Sequence, residues 1–252
     1  MSWKVVASAV CGFGHSSTKT PCQDAVIWKS SGDWLVATVS DGAGSAPRSD
    51  FGAQTACSTI VESLITAIHS GHFNDMSCDP ISWQPFISAG IDETRAKLRQ
   101  ESDIEDLSEF HATVVGVIAN QDCGLLFHIG DGAGAAVYGL DWQNCIISPP
   151  ENGEYADQTF FLTMNNWQNH LRVTLLQRRP DIILLMSDGA MSFVLARGLN
   201  GLDQQFIGPV HRFLSSVDID HGKQALSATL DSPKTYAITS DDKTLFWAMW
   251  SN

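Results

Sequence analysis

Three times in this chain an apolar run ends on Asp-Gly: "LVATVSDGAG" at Asp41-Gly42, "LLFHIGDGAG" at Asp131-Gly132 and "IILLMSDGAM" at Asp188-Gly189. Two further runs begin next to a carboxylate, "KTPCQDAV" with Asp24 and "TSDDKTLFWAMW" with Asp241 and Asp242. One Asp-Gly reads as a turn, because Gly enters positive φ without strain and Asp bonds its own backbone. Three copies, each after a run with the character of a buried strand, argue for a second use. A carboxylate at a strand end is held on a rigid element yet faces the rim of the sheet, and the neighbouring Gly admits an ion or phosphate close to the backbone. If several of Asp24, Asp41, Asp131, Asp188 and Asp241 converge, their repulsion demands a cation. Oxygen ligands with no His or Cys cluster beside them suit a hard ion, Mg²⁺ or Mn²⁺. Two such ions about 3.5–4 Å apart would activate a shared water and clamp a phosphate. Convergence is a matter of topology, which spacing alone does not settle.

The bulk properties narrow the classes. A formal net charge of −13 and a pI near 4.8 argue against nucleic acid or an anionic membrane as the main partner. An acidic, solvated surface accounts for most of that charge, and "ESDIEDLSE" (Glu101 to Glu109) reads as a solvated helix end or loop. The six cysteines form no C-x-x-C pair, so a zinc knuckle or thioredoxin-like motif is not expected. Cys11 and Cys22 read as ordinary buried thiols. The start, "MSWKVVASAV", lacks the pattern of a signal peptide, and no stretch approaches about 18 uninterrupted apolar residues. The expectation is one domain over residues 1–252 in a reducing cytoplasm, acting as a monomer.

Elements that would position the carboxylates follow from periodicity. Strands are expected over Trp3–Ala9, Asp24–Trp28, Asp33–Ser40, Ala112–Ala119, Leu125–Gly130, Ala133–Leu140, Leu171–Leu176, Ile182–Ser187 and Thr244–Trp250. "NQDCG" is read as a hairpin loop. Ala53, Ala56, Ile60, Leu64 and Ile68 share one face of a helix that Ser49 or Asp50 would cap and Gly71 would stop. A second helix covers about Trp83 to Arg99, burying Phe86, Ile87, Ile91 and Leu98, and others fall within Gly201–Ser216 and His221–Leu230. The stretch rich in Gly, Ser and Thr that follows the first strand as far as Gln23, and the polar segment Ser148–Asp157, are read as loops. Hairpin clusters separated by helical pairs favour an α+β fold with antiparallel sheets over a repeating βαβ pattern.

The order "PCQDA", "VSDGAGS", "FHATVVGVIA", "IGDGAGA", "MSDGAMSF" and "SDDKTL" resembles the metal-dependent type 2C serine/threonine protein phosphatases, above all their compact bacterial branch. The resemblance implies a sandwich of two antiparallel β-sheets flanked by helical pairs, with two Mn²⁺ or Mg²⁺ ions per chain. It places Asp41 as the bridging ligand, Gly42 as a carbonyl ligand, and Asp188 and Asp241 as further ligands, with Asp242 as second choice to Asp241. Gln23 and Asp24 match an acidic pair that holds metal-bound water. Asp131 matches one ligand of a third ion, which Ser192, standing where Asp is usual, would leave weak. Lys19 stands where the family has Arg for phosphate, with His15 as a candidate helper, and Lys binds phosphate as a point charge without the bidentate fork. Ala43 follows the first Asp-Gly where many members carry His. The reaction implied is direct hydrolysis of a phosphorylated Ser/Thr protein by a metal-bridging hydroxide, opposing a Ser/Thr kinase. Two alternatives stay open: a catalytically inactive binding module, and a phosphoesterase for small esters.

Overall fold

The computed structural model describes residues 2–18, 20–71, 80–102, 106–151, 159–198 and 200–251. Two five-stranded antiparallel sheets stack face to face. The first runs in the order β1 (Ser2–Val10), β10 (Lys243–Ser251), β9 (Ile182–Met186), β6 (Ala133–Val137), β7 (Ile146–Ser148). The second runs β2 (Asp24–Ser31), β3 (Trp34–Asp41), β4 (Val114–Ala119), β5 (Gly124–Ile129), β8 (Arg172–Leu176). Helices α2 (Ser49–His69) and α3 (Pro80–Ser102) cover the second sheet, while α4 (Asp188–Val194), α5 (Gln204–Ser216) and α6 (Ile219–Leu230) cover the first. The expected α+β sandwich is the observed one.

Three apolar layers hold it. Val5, Leu185 and Phe246 from one sheet meet Leu35, Val39 and Val115 from the other. Ile60, Leu64, Ile87 and Ile91 of the α2–α3 pair pack on Val36, Ile118 and Leu125, and Leu214 and Leu226 pack on Val6, Leu184 and Trp247. Each such side chain contributes about 1.5–3 kcal/mol on burial. The strands therefore read as continuous apolar runs rather than alternating ones, because helices cover the outer faces and both sides of the central strands are dry.

The predicted helical faces hold: Ala53, Ala56, Ile60, Leu64, Ile68, Ile87, Ile91 and Leu98 are buried, and Phe86 is half-buried. Gly71, at φ +76°, follows the last turn of α2. The start of α2 differs from expectation. Arg48 is the N-cap and no side chain caps the helix; Ser49 and Asp50 already lie inside the first turn. Tertiary bonds serve instead, with the Arg48 N–H donating to the Glu109 carbonyl at 3.0 Å. Asp41 is the last residue of its strand rather than the first after it, and β6 stops at Val137 because Gly139 and Leu140 both take φ of 60°. Ser148 belongs to a short strand and is buried against His128, not to a polar loop; residues 152–158 of that predicted loop lie outside the described residues. The "NQDCG" hairpin is present, closed by the Asn120 side chain accepting from the Asp122 and Cys123 N–H groups. Three short helices were not foreseen: α1 (Phe13–Thr18), α4, and α7 (Pro233–Tyr236). Cys11, Cys22, Cys57 and Cys145 are free thiols, and no described helix is long and apolar enough to cross a membrane.

Candidate active site

Strand register gathers the carboxylates. Asp24 and Asp41 are directly opposed at the end of the β2–β3 pair. In the other sheet Met186 pairs with Ala133 on one side and Leu245 on the other, so Asp131, Asp188 and Asp241 leave that sheet at one end. That end meets the first, and Asp41, Gly42, Asp131, Asp188, Asp241 and Thr113 line a cavity of about 250 Å³.

The glycines of the three Asp-Gly pairs answer a different need from the one expected of turns. None of Gly42, Gly132 and Gly189 has positive φ. A Cβ on Gly189 would stand 2.0 Å from the Asp242 carbonyl oxygen, and one on Gly42 2.7 Å from that of Ser49. Backbone crossing backbone at these distances brings the Asp241–Asp242 turn onto the start of α4, and hence Asp241 beside Asp188.

The predicted residues separate by what they touch. Asp24 is buried behind the cavity, its Oδ2 accepting from Ser187 Oγ and Thr244 Oγ1 at 2.7 Å each, while its Oδ1 is buried without a hydrogen-bond partner. Gln23 is likewise buried, its Oε1 unpartnered and near Gly44, which lines the cavity. Asp242 turns away from the cavity. Its two oxygens accept the Gly12 and Gln23 N–H groups at 2.6 Å each, and His15 Nδ1 lies 3.0 Å from Oδ2. This carboxylate latches the loop after β1 to the turn before β10, so of the pair only Asp241 faces the cavity. His15 is engaged with that latch and is not among the residues lining the cavity. Asp131 lines it while accepting from Thr159 Oγ1 at 2.5 Å; Ser192 is exposed on α4 and does not line it. Lys19 lies outside the described residues.

Sequence reasoning assigned no role to Thr113 or Lys243. Thr113 Oγ1 accepts the Asp41 N–H at 3.0 Å, and its own N–H donates to the Asp41 carbonyl at 2.9 Å, fixing the strand end. Lys243 is 0% exposed; its Nζ donates to the Asp241 carbonyl at 3.0 Å and lies 4.9 Å from the Tyr236 ring centre. The available signal was a lysine opening an otherwise apolar strand, a residue type seldom fully buried unless paired.

The electrostatics describe a charge deficit. Burial, then the nearby Asp242 and Asp188, push Asp24 up to about 7 against the hydrogen bonds from Ser187 and Thr244. Burial and the neighbouring Asp241 and Asp131 raise Asp188 to about 6, opposed by a hydrogen bond with Asp41. Burial raises Asp41 as well, with Asp24 and Asp188 adding to it. Among the described residues no three His, Cys, Asp or Glu groups are already arranged to hold a metal ion. The donor chemistry nonetheless fits a hard divalent cation: the acidic groups are all carboxylates, and Asp24 Oδ1 and Asp188 Oδ1 are buried oxygens with no hydrogen-bond partner.

Fold and site together define a class: a two-sheet sandwich with an acidic, oxygen-lined cleft suited to metal-assisted hydrolysis. The profile described as protein phosphatase 2C matches residues 11–231, and the chain belongs to that family of protein phosphatases. It is similar to serine/threonine-protein phosphatase 3 of Escherichia coli (strain K12), 27% identical over 263 aligned positions that cover all of both chains. Among solved structures it is similar to PppA, a regulatory component of T6SS in Pseudomonas aeruginosa (TM-score 0.62, 17% identity, covering 99% and 98% of the two chains). It is also similar to RsbX in complex with magnesium (TM-score 0.57, 12% identity, covering 99% and 96%).

Proposed function

We propose that the cleft hydrolyses phosphoserine and phosphothreonine in proteins by direct attack of water, with no phosphoenzyme. Two Mg²⁺ or Mn²⁺ ions, when bound, supply a water acidic enough to ionise near neutral pH and positive charge for the phosphoryl oxygens. Asp41 and the Gly42 carbonyl from one sheet, and Asp188 and Asp241 from the other, are the residues to hold them. Asp24 and Gln23 orient water from behind through their unpartnered oxygens. Asp131 is a weaker ligand at the edge, without a carboxylate at Ser192 to help. Lys19 attracts the phosphate as a point charge. Thiols take no part: burial pushes Cys57 up to about 12 and raises Cys22 as well, so neither is a ready nucleophile.

One observation carries this reading: four carboxylates from two sheets share one small cavity with buried oxygens left unpaired. The name of the Escherichia coli relative supports the substrate class, and the magnesium in the RsbX complex supports the ion. The natural counterpart is a Ser/Thr kinase whose products the enzyme reverses. The test is turnover of p-nitrophenyl phosphate and a phosphothreonine peptide with Mn²⁺, Mg²⁺ or excess EDTA, with Asp188→Asn as control. Metal-dependent turnover lost in the variant is expected; no turnover with any metal, from folded protein, favours a binding module. Lys19→Ala raises KM and Lys19→Arg lowers it; unchanged KM in both removes Lys19 from the site.

A further inference from the structure

Beside the acidic cleft lies a larger cavity of about 580 Å³, lined among others by Arg99, Ser108, His111, Thr163, Asn165 and Asn166. The two cavities share a partition. Thr113 and Phe161 line the cleft, and His111 and Thr163, two positions away on the same segments, line the second cavity. The His111 ring stacks on Phe161 with centroids 4.7 Å apart, and its Nδ1 lies 2.7 Å from Thr163 Oγ1. The His111 carbonyl accepts the Ala43 N–H at 2.9 Å, so the same residue supports the loop after the first Asp-Gly. The segment that carries Thr163 is held in place: Arg95, itself buried, donates from Nη1 to the Leu162 and Met164 carbonyls at 2.9 Å each.

Wall chemistry selects the ligand. The Asn165 and Asn166 amides and the Thr163 hydroxyl present donors and acceptors together, the complement of peptide groups; Asn166 Nδ2 also lies 3.2 Å from His170 Nε2, and Arg99 adds one cation to the lining. The Asp106 carboxylate is engaged by the Ser108 N–H and Oγ at 3.0 and 2.9 Å. Burial lowers the basicity of His111, which leaves it a hydrogen-bonding partition more than a cation. The acidic cleft has room for a phosphorylated side chain, and the polypeptide on either side of it must then lie on neighbouring surface. A small phosphate ester has nothing that reaches past the partition.

We propose that this second cavity is the subsite for the polypeptide flanking the phosphorylated residue, read through its main-chain amides. The proposal rests on the phosphatase reading of the cleft and deepens it. Asn165 and Asn166 are exposed, so Asn165→Ala/Asn166→Ala should fold, and Asn165→Trp fills the cavity by a second route. With Mn²⁺, the ratio of kcat/KM on a phosphothreonine peptide to that on p-nitrophenyl phosphate is expected to fall about tenfold in both variants, through KM, from the loss of one or two hydrogen bonds. Binding of a fluorescent phosphothreonine peptide to the Asp188→Asn protein, measured by anisotropy, should weaken by the same factor when either change is added. An unchanged ratio, or equal falls on both substrates, overturns the subsite. If the wild type turns over nothing, the reading of the cleft fails and the anisotropy alone decides: peptide binding lost in the Asn165 variants keeps the subsite, and binding that is absent or indifferent to them removes it.

Discussion

Six aspartates meet at one end of the sandwich and fall into two regions, the cavity wall and the latch behind it. Asp41, Asp131, Asp188 and Asp241 face the cavity. Asp242 spends its oxygens on the Gly12 and Gln23 amides, and Asp24 spends one of its own on two hydroxyls. All are acidic residues next to strands, so residue type and position do not separate them. Their partners do. A carboxylate fed by backbone amides stabilises the metal-free fold, whereas one held among other carboxylates opposes it until a cation arrives.

The largest effect should come from the wall. Asp188→Asn is expected to lower metal-dependent turnover by at least about 10³-fold while the metal-free protein becomes more stable, by on the order of 1–3 kcal/mol at pH 7. The gain follows from burial and the Asp241 and Asp131 charges, which hold the native carboxyl near 6. Urea unfolding in EDTA checks it, and a less stable variant would move Asp188 into the latch group. Asp242→Ala tests the other region. It strands two backbone N–H groups, each costing about 1–3 kcal/mol. The expected loss of about 2–4 kcal/mol should be the same in EDTA and in Mn²⁺. Full stability with lost metal binding would instead make Asp242 a ligand.

The pH dependence of the metal-free protein qualifies that contrast, because Asp24, held behind the wall by two hydroxyls, is raised as Asp188 is. Asp24 and Asp188 titrate near 7 and 6 in the folded chain, above their ordinary 3.8. Between about pH 4 and 7 the folded state therefore binds more protons than the unfolded state, and stability falls as pH rises through that window. Saturating Mn²⁺ should cancel or reverse the slope, because the ion binds the ionised carboxylates and its affinity rises over the same range. Denaturation midpoints across the window, with EDTA and with Mn²⁺, measure both; a metal-free midpoint that rises with pH contradicts the assignment.

Much of this was legible in the chain. Long-period features, such as the α2 face and the apolar strands, follow from burial that every residue of the element reports. The Asp-Gly repeats marked the strand ends at the rim, yet the reason for their glycines was hidden, since the backbone that Gly189 meets belongs to Asp242, far away in sequence. Short elements were missed for a related reason. The helix "FGHSST" has no apolar period, and contacts such as the Gly14 N–H to the Ser240 carbonyl at 3.0 Å hold it in place. Periodicity does not separate Asp241 from Asp242, because they sit in a turn where neither the period of a strand nor that of a helix applies. The family resemblance put Asp241 first, and the two amides that converge on Asp242 supply a physical distinction that no pattern carries.

Asp131 tests where the wall ends. It lines the cavity, but Thr159 already occupies one of its oxygens, and Ser192 offers no carboxylate opposite. Its contribution to holding cations should accordingly be the smallest of the four. Asp131→Asn keeps the shape and the Thr159 contact, and kcat with Mn²⁺ is expected to stay within about tenfold of the wild type, since the loss is of one peripheral interaction. The metal-free protein should gain less stability than Asp188→Asn gives, because Asp188 has a buried oxygen with no partner. Restoring the missing carboxylate with Ser192→Asp provides the converse: if that exposed position can reach the cavity, the change should make turnover more sensitive to Asp131→Asn. If Asp131→Asn alone abolishes turnover as Asp188→Asn does, the boundary is misplaced and Asp131 belongs to the central ligand set.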